Sequence, residues 1–165
     1  AKIEQQRELN ARVNFVNSLC KKHGVSNCLY VSIHVDAAGA DGKWHTAGGF
    51  SVYTSRGKTK ADSLAEYIYN RAEQNLKIYA DYMAEGKKNG MYDSKQKPIR
   101  TDISDGDKDL EAGFYVLTHT NCPAVLCECM FQDNKADVQY LTSEEGRHAI
   151  ERTILEGIMD YIEKM

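Results

Sequence analysis

A chain of 165 residues, 42% hydrophobic and 27% charged, carries enough apolar side chain for one buried core and too little length for two, which excludes disorder and a multidomain array. Its 21 basic and 24 acidic residues leave a formal charge of −3 with the signs mixed along the chain, so no basic face marks a nucleic-acid binder. No apolar stretch reaches the roughly 18 residues of a membrane span, and the polar opening AKIEQQREL lacks the charged start and apolar middle of a secretion signal.

From Ile3 to Lys22 the apolar positions Leu9, Val13, Val16 and Cys20 recur at helical spacing, and Lys21, Lys22, His23 and Gly24 form a helix stop. Leu29 to His34 is an apolar run of strand length, read as a buried strand, and the glycine-dense loop DAAGADGKWHTAGG after it is a candidate cleft wall. Phe50 to Thr54 reads as a short strand. Thr59 to Glu85 places Leu64, Ile68, Ala72, Leu76, Tyr79 and Met83 on one face and stops at Gly86, which predicts one long amphipathic helix.

Lys87 to Leu110 is polar and irregular, Gly113 to Leu117 reads as a strand, and the turn Asn121 Cys122 Pro123 leads into the apolar run Ala124 to Glu128. Thr142 Ser143 Glu144 Glu145 then opens a helix carrying Ile150, Ile154, Ile158 and Ile162. Helices alternating with apolar strands predict an α/β fold: a mostly parallel central sheet with helices on both faces, in one domain over residues 1–165.

Two of the apolar runs end in residues suited to metal or proton chemistry. A strand fixes the backbone of His34, whose ring nitrogen then faces the loops at the end of a parallel sheet, where open α/β sheets carry their sites. Glu128 is flanked by Cys127, Cys129, Met130 and Phe131, and a carboxyl in that setting is paired, protonated or in use. A partly desolvated carboxylate with a raised pKa suits the shuttling of a proton from an activated water to a leaving amine. A metal-assisted hydrolase is the reading that uses both residues.

Arg100 carries a planar fork that fits a peptide carboxylate, with a surface ion pair as the alternative. His45 beside Trp44 is either a glycan or peptide contact or an exposed loop pair, and His119 reads as structural. Asp105, Asp107 and Asp109 fail as a calcium loop because Leu110 stands where its glycine belongs and Val116 where its glutamate belongs. The five cysteines, Cys20, Cys28, Cys122, Cys127 and Cys129, follow no zinc or disulfide spacing and read as buried free thiols suited to a reducing compartment. A cysteine hydrolase built on Cys127 or Cys129 with His34 or His119 has no nucleophile context in the sequence.

The segments SIHVDA at 32–37, PAVLCECMFQDN at 123–134, LNARVNFVN at 9–17 and the distal DVQYL resemble the zinc-dependent N-acetylmuramoyl-L-alanine amidases of the amidase type 3 family. The stretches KWHTAGGFSVYTSRGKTKADSLAEYIY and RTDISDGDKDLEAGFYVLTHT look closest to a branch found in Bacteroides-type bacteria and their phages.

The resemblance implies a Zn2+ cofactor held by two histidines and a glutamate. In the motif His34 matches the second histidine ligand and Glu128 the catalytic glutamate. It implies peptidoglycan or a muropeptide as substrate, cut at the amide joining N-acetylmuramic acid to the L-alanine of the stem peptide, with zinc activating the water. The expected location is the cell envelope, periplasmic or secreted, or the host cytoplasm before lysis in the case of a phage endolysin.

The family's first strand, its first histidine ligand and its glutamate ligand have no match here. Glu4 and Glu8 lie in the segment that matches a later helix and do not replace them. The expectation is therefore a catalytic domain lacking its N-terminal strand. The alternative is a non-catalytic cell-wall binding or regulatory module on an amidase scaffold.

Overall fold

A computed structural model describes all of residues 1–165. Helix α1, Lys2–His23, ends where Gly24 takes φ 90° and returns its N–H to Cys20 O. A short 3-10 turn, Val25–Asn27, then leads into strand β1, Tyr30–Asp36. Strand β2 spans Phe50–Thr54, and α2, Lys60–Asn75, starts on a reciprocal cap between Thr59 and Asp62. Helix α3, Lys77–Lys88, strand β3, Leu110–Glu111, and helix α4, Tyr115–His119, follow. Strand β4, Ala124–Phe131, and helices α5, Lys135–Thr142, and α6, Glu144–Lys164, complete the chain.

The four strands lie in the order β1-β4-β2-β3; β1/β4 and β2/β3 are parallel and β2/β4 is antiparallel. The fold is the expected α/β architecture with a mostly parallel, mixed sheet between helices. Alternation along β4 decides what each face carries. Val125, Cys127 and Cys129 enter the larger core with Leu64, Ile68 and Ala72 of α2, Tyr79 and Met83 of α3 and Ile154 of α6. Ala124 and Leu126 face the other way, into a small core with Val13 of α1 and Val116 and Leu117 of α4. That second cover reaches only the first half of β4, so the sheet face beyond Leu126 is left for the site.

Four expectations need correction. The segment read as a strand from Gly113 to Leu117 is the helix α4, and the edge strand is Leu110–Glu111, paired with Tyr53 and Thr54. The predicted helix from Thr59 to Glu85 is two helices that meet at Leu76; hydrogen bonds from Leu76 N to Ala72 O and from Ala80 N to Leu76 O carry across the joint. Nothing in local propensity breaks it there; Leu76, buried in the main core, leaves helical geometry at φ −101° and ψ 20°.

The run at 29–34 is not a buried strand. β1 is the edge of the sheet, and Ile33 is 62% exposed. On α6, Ile162 is half exposed because residues at intervals of four advance about 40° around a helix at each step, and Tyr161 takes the buried place instead. Helix α5 is an element beyond those expected, and Asn134 caps it through bonds from Ala136 N and Asp137 N.

Candidate functional site

The parallel register of β1 and β4 sets His34 opposite Glu128, and the antiparallel register of β2 and β4 sets Ser51 opposite the same glutamate. Directly paired residues project to one face of a sheet, so His34, Glu128 and Ser51 form a row across three strands. Both β1 and β4 continue past these residues, so the row lies on the sheet near its C-terminal rim and not beyond it. Immediately after the pair, the β1/β4 register slips between His34 and Asp36, and Met130 takes φ 68°, a conformation costly for a side-chain-bearing residue.

Ser32, two residues before His34 and on its face, has its hydroxyl 3.0 Å from His34 Nε2. Glu128 Oε2 and Ser51 Oγ are both buried without a hydrogen-bond partner. Unpaired buried oxygens are uncommon, and two in register neighbours mark a place built for a further polar group. Burial, and then the nearby Asp36 charge, push the Glu128 carboxyl up to about 7 against the opposing pull of Arg100.

Arg100 comes from the irregular segment after α3 yet lies at this row. Its Nη1 donates to Asp36 Oδ2 at 3.2 Å, and its guanidinium sits 5.0 Å from the centre of the Phe131 ring. Backbone bonds from Phe50 N to Pro98 O and from Arg100 N to Phe50 O pin the segment to β2. Gly49, at φ 113°, permits the approach, since a Cβ there would stand 2.3 Å from Lys97 O. Asp137 secures the far side: one oxygen accepts from the Tyr79 and Tyr92 hydroxyls at 2.6 Å each, the other from Phe131 N at 3.0 Å. Asp133 holds the glycine-rich loop against the end of β4, accepting from Ala38 N and Gly39 N at 2.8 and 3.0 Å.

The structure thus brings His34, Glu128 and Arg100 together. The other sequence candidates are engaged elsewhere. His119 stacks on Tyr115 on α4, where its carbonyl accepts from Asn17 of α1, at the opposite end of β4. His45 is 2.9 Å from Asp41 within the loop. Cys127 and Cys129 point into the main core with thiols pushed well up by burial, Cys129 to about 12, so neither is a thiolate nucleophile near neutral pH.

Asp36 and Ser51 are the neighbours the sequence reading missed. Asp36 was accessible to it, since a strand residue two places after His34 shares its face. Ser51 was not, because its place depends on the pairing of β2 with β4.

The zinc ion implied by the resemblance needs three protein donors. Among residues 1–165 no three or more His, Cys, Asp or Glu side chains converge in a metal-holding arrangement. His34 and Glu128 are adjacent and Asp36 is engaged by Arg100, so these residues alone do not complete the ligand set. No helix of the chain is long and apolar enough to cross a membrane.

Residues 2–160 match the family model of N-acetylmuramoyl-L-alanine amidases. A cell wall amidase of Bacillus anthracis is 31% identical over 138 residues, 68% of this chain and 26% of that protein. The N-acetylmuramoyl-L-alanine amidase from Clostridium difficile 630 superimposes with a TM-score of 0.65 at 21% identity, over 94% of this chain and 65% of its own. The CwlD amidase from Clostridioides difficile, solved in complex with the GerS lipoprotein, gives a TM-score of 0.67 at 19% identity, over 100% of this chain and 66% of its own. The chain therefore spans about a quarter of the Bacillus anthracis protein and about two thirds of the solved amidases.

Proposed function

Because the chain belongs to the N-acetylmuramoyl-L-alanine amidase family, we propose that it serves peptidoglycan hydrolysis at the bond between N-acetylmuramic acid and the L-alanine of the stem peptide, with Glu128 as the proton carrier. The observation that carries this reading is the register pair of His34 and Glu128, whose carboxyl is half-buried, has one unpartnered oxygen and is pushed by burial up to about 7. A carboxyl balanced between its two forms near neutrality can take a proton from a water attacking the lactyl carbonyl and return it to the departing alanine nitrogen. Arg100, held by Asp36 and Phe131, presents a fork of N–H donors at the same rim and is assigned to a carboxylate of the stem peptide.

Zinc belongs to this proposal at one residue. His34 is the side chain of this chain assigned to ligate it. The envelope is the proposed site of action because the substrate is there.

The test is incubation of the protein with purified sacculi and zinc, followed by labelling of newly exposed amino groups. The reading expects N-terminal alanine to appear with the wild type and not with Glu128→Gln. Release of another terminus, or release that survives Glu128→Gln, would overturn it.

The alternative, a muropeptide-binding module without turnover, is not favoured by the family match or by the likeness to solved amidases. That reading expects saturable muropeptide binding, unchanged by a chelator, with no new alanine termini.

A further inference from the structure

The chain has one tryptophan, and it lies in the glycine-rich loop, outside the row of His34, Glu128 and Ser51. Trp44 is 57% exposed, an uncommon place for so large an apolar ring. The loop that carries it is pinned to the end of β4. Asp133 Oδ2 accepts from Ala38 N and Gly39 N, and the Asp133 carbonyl accepts from His45 N at 2.7 Å. Lys135, the first residue of α5, sets its ammonium 5.6 Å from the centre of the indole, over one face.

Beside the ring is a cleft of about 230 Å³ whose walls include Ala37, Gly39, Trp44, Gln132 and Asp133. It adjoins the candidate site, because Ala37 follows Asp36 and Gln132 follows Phe131, the register pair against which Arg100 lies. A bond from Gln132 N to Asp36 O at 2.8 Å ties the two edges together. Asp133 also brings an acceptor that the loop does not use. Its Oδ1 is buried without a hydrogen-bond partner, which marks this wall as built for a further donor.

A flat apolar ring next to an unpaired carboxylate oxygen and a side-chain amide matches the chemistry of a pyranose sugar. The C–H groups of such a ring present an apolar face to an aromatic plane, while its hydroxyl and acetamido groups donate and accept around the edge. A stem peptide has no such face, and its carboxylate is already assigned to Arg100. Given the amidase reading above, we propose that Trp44, Gln132 and Asp133 form a glycan subsite: the indole stacks on an N-acetylhexosamine ring, Asp133 Oδ1 accepts from one of its hydroxyl or amide groups, and the Gln132 amide meets its polar edge. Gln132 is four residues beyond Glu128, on the order of 13 Å along an extended chain, so the ring held is a neighbour of the muramic acid that bears the scissile amide. The substrate class is then a glycan strand and not a single muramyl peptide.

Because Trp44 is the only tryptophan, indole fluorescence reads this cleft alone. The whole protein is titrated with chitotetraose, a peptide-free tetrasaccharide of N-acetylglucosamine, and separately with the free stem peptide, which carries no sugar. A saturable change in emission with the tetrasaccharide and none with the peptide is expected. Trp44→Ala, at an exposed position and with its fold checked by circular dichroism, should weaken tetrasaccharide binding in calorimetry by about tenfold, and Trp44→Phe, which keeps a smaller ring, should weaken it less. No saturable change with the tetrasaccharide, a change with the stem peptide in its place, or wild-type affinity in Trp44→Ala would each overturn the subsite. Binding is read here without turnover, so sacculi left uncut would count against the amidase reading and leave a measured sugar affinity standing.

Discussion

Arg100 Nη1 stands 3.2 Å from Asp36 Oδ2, and both groups act on the Glu128 carboxyl with opposite signs. Asp36 raises its pKa and Arg100 lowers it, burial being the larger cause of the net rise to about 7. Asp36→Asn should therefore move the Glu128 titration below its wild-type midpoint, and Arg100→Gln should move it above. Titration of protein carrying 13C-labelled glutamate, with Glu128→Gln to assign the signal, reads both shifts.

Glu128→Gln keeps the shape of the side chain and removes its capacity to carry a proton. Turnover on sacculi should fall by about 10²–10⁴-fold, the usual weight of general acid–base catalysis, while the far-ultraviolet circular dichroism stays that of the wild type. A fall of less than about threefold would mean that the proton travels by another group.

Asp109 gives the fold a pH dependence of its own. It is 3% exposed and accepts from the Thr54 hydroxyl. Burial above all, with Asp107 and Asp62 beside it and the Thr54 bond opposing, pushes its carboxyl from 3.8 up to about 7. Between those values the folded state holds a proton that the unfolded chain has released. The stabilisation is complete below about pH 4 and is lost as pH rises through 7. Asp109→Asn imitates the protonated form, so it should flatten this slope and raise stability at pH 8 by on the order of 1–3 kcal/mol, measured by urea denaturation across the range.

Gly157 is where α6 lies closest to α2. A Cβ on it would stand 2.7 Å from Ile68 Cα and 2.8 Å from Ile68 Cγ1. Gly157→Ala gains helix propensity but forces two packed backbones apart, so the net effect should be a loss of about 1–3 kcal/mol. Thermal unfolding should show a midpoint several degrees lower. An unchanged or higher midpoint would mean that the interface yields without strain.

Much of the fold was legible from local pattern. The face of Leu9, Val13, Val16 and Cys20 on α1, the strand at Phe50–Thr54 and the last helix follow from periodicity and capping, which are properties of neighbouring residues. The misread segments depend on distant ones. Gly113 to Leu117 has a strand-like composition, but Val116 and Leu117 are placed to fill the small core against Val13, and a helical turn does that. The joint at Leu76 is likewise a compromise with the main core and leaves no local signal.

At the candidate site, the residue types and the short apolar segments that hold them were sequence information: an imidazole at 34, a carboxyl at 128 and a guanidinium at 100. Their meeting was not, because it depends on β1 pairing with β4 and on residues 98–100 lying along β2. The chain by itself determined which groups were available and which segments would be helical or extended, since those follow from short-range sterics and apolar spacing. Only the tertiary structure decided that Asp36 and Arg100 bracket the Glu128 carboxyl and that Ser51 faces it. Strand register and burial are set by contacts between residues far apart along the chain.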